Sequence, residues 1–193
     1  MPRGVNREVL LETGMQMLHA DGYEATGVGK ITKAAGVPKG SFYNYFDSKE
    51  AFALEVLEGY VQTGEAMFTE VLEQGTGPHL VRLRRLYGMM IDQLKSGDFS
   101  KGCLAGALCQ EMAGRDDAFK AALERSIVAM RSKIEGCLRS AQATGELARS
   151  HDPDRLARFL QDAWQGALIR MKVERSDRPL RDFLDLVFAQ ILS

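Results

Sequence analysis

Between Thr26 and Lys49 the ionised side chains are Lys30, Lys33, Lys39 and Lys49 against a single acid, Asp47, and they are interleaved with Ser41, Tyr43, Asn44 and Tyr45. Ammonium groups, hydroxyls and a carboxamide at this density can hold backbone phosphate and read base edges. A second chemically capable group is the thiol in Ser100-Lys101-Gly102-Cys103-Leu104-Ala105. It falls at an expected helix start beside a lysine, a setting in which cysteines become reactive. A buried, purely packing role for Cys103 stays open. Cys109 and Cys137 read as packing, and six residues place Cys109 nearly two helical turns from Cys103, too far for a disulfide within one helix. His19, His79 and His151 are scattered, so no metal site is expected, and no nucleophile–base pair or cofactor motif stands out.

The elements that must position the lysine-rich run are legible around it. Ile31 to Ala35 continue a short helix into Gly36, suited to the left-handed conformation that ends a helix, and Pro38 forbids continuation. Phe42 and Phe46, four apart, anchor the next helix and leave Gly40, Ser41, Tyr43, Asn44 and Tyr45 toward the outside. Asp47 or Ser48 can cap the helix that follows, bringing its amide-rich start next to Lys49. The pattern is a helix-turn-helix with its exit.

The remaining periodicity is helical, so the expected fold is all-α. A first helix with Leu10, Gly14, Met17 and Leu18 inside ends near Asp21-Gly22. A long helix runs from about Ser48 to Glu73, stopped by Gly75-Thr76-Gly77-Pro78; another carries Leu80 to Leu94 and ends at Ser96-Gly97-Asp98. A short helix over about 103–113 precedes one through Phe119 to Leu138. The last two are marked by Leu156 to Met171 and, after Pro179, by Leu180 to Ile191.

Composition excludes a global basic field: 25 Lys+Arg face 26 Asp+Glu for a formal charge of −1, so the positive charge is local to the helix-turn-helix. The charged start Met1 to Glu8 carries no apolar leader, no apolar run approaches a bilayer span, and three cysteines cannot all pair internally. A cytoplasmic protein without a membrane role is expected.

The run from Gly36 to Glu50, with Gly22 to Thr26 before it and Ala51-Phe52 after it, resembles the DNA-binding domain of TetR-family transcriptional repressors. The shared pattern is a Gly, a Thr at the helix start, Ile31, Ala35-Gly36-Val37, Gly40-x-x-Tyr43-x-x-Phe46 and Lys49-Glu50. Gly27 departs from it where a Thr or Ser cap is usual, and Gly29 where a polar side chain often reaches a base. The resemblance implies a DNA-binding domain over 1–48, contacting operator DNA through Thr26, Lys30, Lys39, Gly40, Ser41, Tyr43, Asn44, Tyr45 and Lys49. It implies an effector-binding and dimerisation domain over 49–193. One head reads few base pairs, so specific binding needs two heads about 34–36 Å apart in a homodimer. In the resembled family the last two helices form that seam, here Phe159, Trp164, Phe183, Val187 and Phe188.

Gly102-Cys103-Leu104 followed by Glu111 further resembles the electrophile- and redox-responsive NemR-like branch, which implies that Cys103 senses the signal. The competing expectation is a noncovalent pocket for a small hydrophobic effector, with Tyr87, Met90, Met112, Phe119, Met130 and Trp164 as its flexible, aromatic lining. A helical thiol enzyme or an adaptor without DNA binding is the alternative class.

Overall fold

The computed structural model describes residues 3–97, 99 and 101–192. Asp98 and Ser100, expected at the end of one helix and the approach to the next, lie outside them. Every element among the described residues is helical: α1 Arg3–Ala25, α2 Val28–Ala34, α3 Lys39–Phe42, α4 Lys49–Phe68, α5 His79–Ser96, α6 Leu104–Met112, α7 Asp117–Ala143, α8 Pro153–Glu174 and α9 Arg178–Leu186. The chain divides into two compact units, residues 1–63 with 103–124 and residues 64–102 with 125–193, so the divisions fall within α4 and α7.

The first unit is built on Leu10 and Leu18 of α1, Ile31 of α2, Phe42 and Phe46, Phe52 and Leu57 of α4, and Leu104, Leu108 and Phe119 from α6 and α7, all buried. Gly14 is required on the inner face of α1, because a Cβ there would lie 2.1 Å from the Phe52 ring. At Gly22 the backbone turns to φ 81°, ψ 178°, which ends regular α1 where Asp21-Gly22 indicated.

In the second unit Tyr87, Trp164 and Phe183 pack ring on ring, with centroids 5.0 to 5.4 Å apart. The start of α5 has no cap of its own: Pro78 precedes it without a side-chain acceptor. Glu146 supplies one from the loop after α7, its carboxylate accepting the N–H groups of His79 and Leu80 at 3.0 Å each and lying 2.8 Å from His79 Nδ1. Burial alone would raise its pKa, but those two N–H donors, the His79 ring and the Thr144 hydroxyl hold it down to about 2, from an ordinary 4.5. A depressed carboxylate stabilises the fold above its unfolded value and loses that contribution as pH falls from about 4.5 through about 2. Glu146→Gln should therefore lower the melting temperature near neutrality and flatten its acid dependence over that window, as followed by circular dichroism.

The helix expected over 48–73 is interrupted in its last turn. From Thr69 to Glu73 the backbone widens into a π turn, closed by Gln74 N–H donating to Thr69 O at 3.1 Å. The widening lets the adjacent Val71 and Leu72 both be buried, which a regular amphipathic stripe would not require. A similar turn closes α9 over Val187–Ile191.

Candidate nucleic-acid interface

The turn between α2 and α3 follows from three residues. Gly36 takes φ 65°, its N–H donates to Lys33 O at 3.3 Å, and Val37 N–H reaches back to Thr32 O at 2.9 Å, which ends α2 in a Schellman arrangement. Pro38 then opens α3 at φ −58°. Only Lys39–Phe42 is regular helix; turns carry it on, with Asn44 N–H donating to Ser41 O and Phe46 N–H to Phe42 O. The Phe42, Phe46 and Phe52 rings hold the segment from beneath with centroids 4.8 to 5.2 Å apart.

That anchoring leaves Lys39, Gly40, Asn44 and Tyr43 exposed, Tyr43 at 57 %, with Ser41 and Tyr45 half-buried. Lys30 and Lys33 are exposed on α2, and the Lys30 ammonium donates to Ala25 O at 2.9 Å. Gly27 is the N-cap of α2 and provides no side-chain bond, while Gly29 faces open space. Thus α2 brings lysines but little else to the surface.

Two expected contacts are placed otherwise. Thr26 is fully buried, its hydroxyl donating to Met17 O at 3.4 Å, so its side chain joins the end of α1 to the head instead of facing DNA. Lys49 donates to Tyr23 O at 2.7 Å and lies 3.9 Å from the centroid of the Tyr23 ring. Its ammonium is committed inside the protein. Ser48, not Asp47, caps α4 by accepting from Ala51 N–H at 3.1 Å.

Tyr23 is the residue that local reading missed. Its hydroxyl donates to Glu50 Oε1 at 2.8 Å, a bond that holds the Glu50 carboxyl below its ordinary value. Its N–H and that of Glu24 donate to the Glu111 carboxylate of α6 at 3.2 and 2.9 Å. Glu111 also explains Gly22 a second time, since a Cβ there would meet Oε1 at 2.4 Å. Arg115 pairs with Glu24 alongside. The start of α4, the end of α1 and the end of α6 thus meet on one tyrosine.

At the other end of α6, Cys103 is the N-cap, half-buried, with Sγ accepting from Gly106 N–H at 3.4 Å and from the Tyr60 hydroxyl at 3.8 Å. Burial pushes the Cys109 thiol up and Cys137 up to about 11, as suits packing. Of the other expected effector residues, Met112 and Phe119 are buried in the first unit's core, whereas Tyr87, Met90, Met130 and Trp164 belong to the second unit, so no single pocket within a unit collects them. Of the expected seam, Trp164, Phe183 and Val187 are buried in the second unit's own core, Phe188 is half-buried beneath Arg84, and Phe159 is 47 % exposed. No group of three potential metal ligands occurs among the described residues, and no helix among them is long and apolar enough to cross a membrane.

Residues 10–56 match the family model of bacterial regulatory proteins, tetR family, and residues 80–187 that of the tetracyclin repressor-like C-terminal domain. The chain is 38% identical over 192 residues to the HTH-type transcriptional repressor DhaR of Mycobacterium sp. (strain GP1), covering 100% of this chain and 95% of the relative. It is 31% identical over 178 residues to the HTH-type transcriptional repressor NemR of Escherichia coli K12, covering 92% and 89%. Among solved structures, regulatory protein TetR from Rhodobacter sphaeroides superposes with a TM-score of 0.87 at 38% identity, over 91% of this chain and 93% of that one. The helix-turn-helix with its exposed lysines, the all-helical fold and these matches along the whole chain agree: the protein belongs to the TetR family and is a DNA-binding transcriptional repressor.

Proposed function

We propose that the protein is a homodimeric repressor that leaves its operator when an electrophile or oxidant modifies Cys103. The observation that carries this reading is the placement of α6: Cys103 caps one end, and Glu111 near the other holds the backbone of Tyr23 and Glu24 beside the head. Addition to an activated alkene such as N-ethylmaleimide forms an S–C bond at the expense of the C=C π bond, the thiol proton passing to the adjacent carbon, and hypochlorous acid oxidises the thiol to a sulfenic acid with release of chloride and a proton. The added group crowds Sγ against its Gly106 and Tyr60 donors and weakens the cap. A shift of α6 by even a fraction of a turn withdraws Glu111 from Tyr23, and Tyr23 is bonded to Lys49 and Glu50 at the start of α4. The two heads then lose operator spacing. The likeness of Gly102-Cys103-Leu104 and Glu111 to the electrophile-responsive branch supports the same assignment.

The test is release of operator-bound protein by N-ethylmaleimide or hypochlorous acid. Release should be complete for wild type, Cys109→Ser and Cys137→Ser and lost for Cys103→Ser. If Cys103→Ser releases as the wild type does, the thiol is packing, and a noncovalent small-molecule effector is the better account.

A further inference from the structure

In the first unit Tyr60 of α4 meets Cys103 at the start of α6. Its hydroxyl donates to Sγ at 3.8 Å, and Sγ also accepts from Gly106 N–H in the first turn of α6. The His19 ring of α1 packs edge-on against the phenol, with centroids 5.7 Å apart. Tyr60 and Cys103 are both half-buried, so the pair is held by the protein without being sealed from solvent. Burial, and after it the neighbouring thiol, push the Tyr60 hydroxyl well above its ordinary value, and the opposing Leu104 N–H does not offset them. The phenol therefore stays a donor around neutrality. Its present bond to sulfur is long, and a thioether accepts less well than a thiolate. As Sγ bonds to carbon, the hydroxyl is freed at the moment a conjugated carbonyl gathers negative charge on its oxygen. A donor already in place where charge develops acts most strongly in the transition state.

We propose that Tyr60 is the hydrogen-bond donor to the electrophile's carbonyl oxygen during addition to Cys103, so that the site favours open-chain enones and enals, whose carbonyl can turn back toward the sulfur. The inference rests on the reading of Cys103 as the modified group. In the step, the Cys103 thiolate, its proton given to water, attacks the β-carbon with a sulfur lone pair. The C=C π pair moves to the bond between the α-carbon and the carbonyl carbon, and the carbonyl π pair moves to oxygen. That enolate oxygen takes the Tyr60 hydrogen bond; the α-carbon then takes a proton from water, which restores the carbonyl and replaces the proton lost from the thiol. A maleimide ring holds its conjugated carbonyl turned away from the carbon attacked, beyond a hydroxyl that touches Sγ.

The full chain and Tyr60→Phe, which keeps the ring beside His19, are reacted without DNA with methyl vinyl ketone, N-ethylmaleimide and methyl methanethiosulfonate. The adduct at Cys103 is followed by peptide mass spectrometry. Methyl methanethiosulfonate has no carbonyl and reports the thiol alone. Measured against it, addition of methyl vinyl ketone should slow by at least about tenfold in Tyr60→Phe, the low end of what one lost oxyanion donor costs at a half-buried site. N-ethylmaleimide should keep pace with methyl methanethiosulfonate. A merely structural role of the phenol, or an effect on the thiol itself, moves all three rates together. A common change, no change, an equal slowing of N-ethylmaleimide and methyl vinyl ketone, or no adduct of the ketone at Cys103 in the wild type overturns the donor role. Operator release is read separately: addition that depends on Tyr60 but leaves the operator bound keeps the donor and removes Cys103 as the signal.

Discussion

Tyr43→Ala is expected to weaken operator binding by about two to four orders of magnitude while leaving the melting temperature within a degree or two of wild type. The phenol is 57 % exposed and makes only an edge-to-face contact with Phe42, so its removal leaves the head folded. What is lost is a hydroxyl at the tip of the reading segment, able to donate to a phosphate. Hydrogen bonds to charged groups contribute about 1.5–3 kcal/mol each, and two heads double the loss to about 3–6 kcal/mol. The deficit should appear on specific and random duplexes alike. Lys39→Ala and Asn44→Ala, exposed on the same segment, should instead shift base preference. Lys49→Ala gives the contrasting outcome: because its ammonium is bonded to Tyr23 O, it should lower the melting temperature as well as affinity. Fluorescence anisotropy on an operator selected from a random pool, with parallel thermal melts, separates the two. Full affinity of Tyr43→Ala at physiological salt would contradict the assignment of the reading face.

The head was legible because its determinants are local. Gly36 and Pro38 fix the turn through their own backbone preferences, and Phe42 and Phe46 fix the buried side through helical spacing. Thr26 is ambiguous in the sequence, because a threonine at a helix start looks the same whether its hydroxyl caps outward or bonds backward to Met17. Tyr23 escaped because its partners Glu50 and Glu111 are 27 and 88 residues away, and no spacing rule connects them. The same holds for Glu146 at the start of α5 and for Tyr60, whose neighbours His19 and Cys103 come from other elements. At the seam, periodicity identified apolar faces on α8 and α9. It could not decide which flank of each stripe is consumed by the protomer's own core.

The structure shows which of those flanks stay exposed. On α8, Phe159, Ile169 and Val173 remain 47, 54 and 81 % exposed, and at about 100° per residue they fall within roughly 80° of one another, flanking the exposed Gly166. Leu186 of α9 is 53 % exposed as well. Apolar side chains grouped in this way on a helix surface are the material of an interface. In a two-fold dimer each substitution enters the contact twice, so Ile169→Glu with Val173→Glu places four carboxylates in it. At about 1–3 kcal/mol for each unpaired polar group removed from water, the dimer constant should weaken by at least about three orders of magnitude. Operator affinity should fall with it, because a single head no longer has a partner held one helical turn away. Trp164→Ala should behave in the opposite manner. The indole is buried against Tyr87 and Phe183, so its loss leaves a cavity costing about 3–5 kcal/mol of folding stability and no direct change at the seam. Sedimentation velocity of the two variants distinguishes core from seam. A persistent dimer in the double glutamate variant would move the interface off α8, and a monomeric but stable Trp164→Ala would return it to the rings.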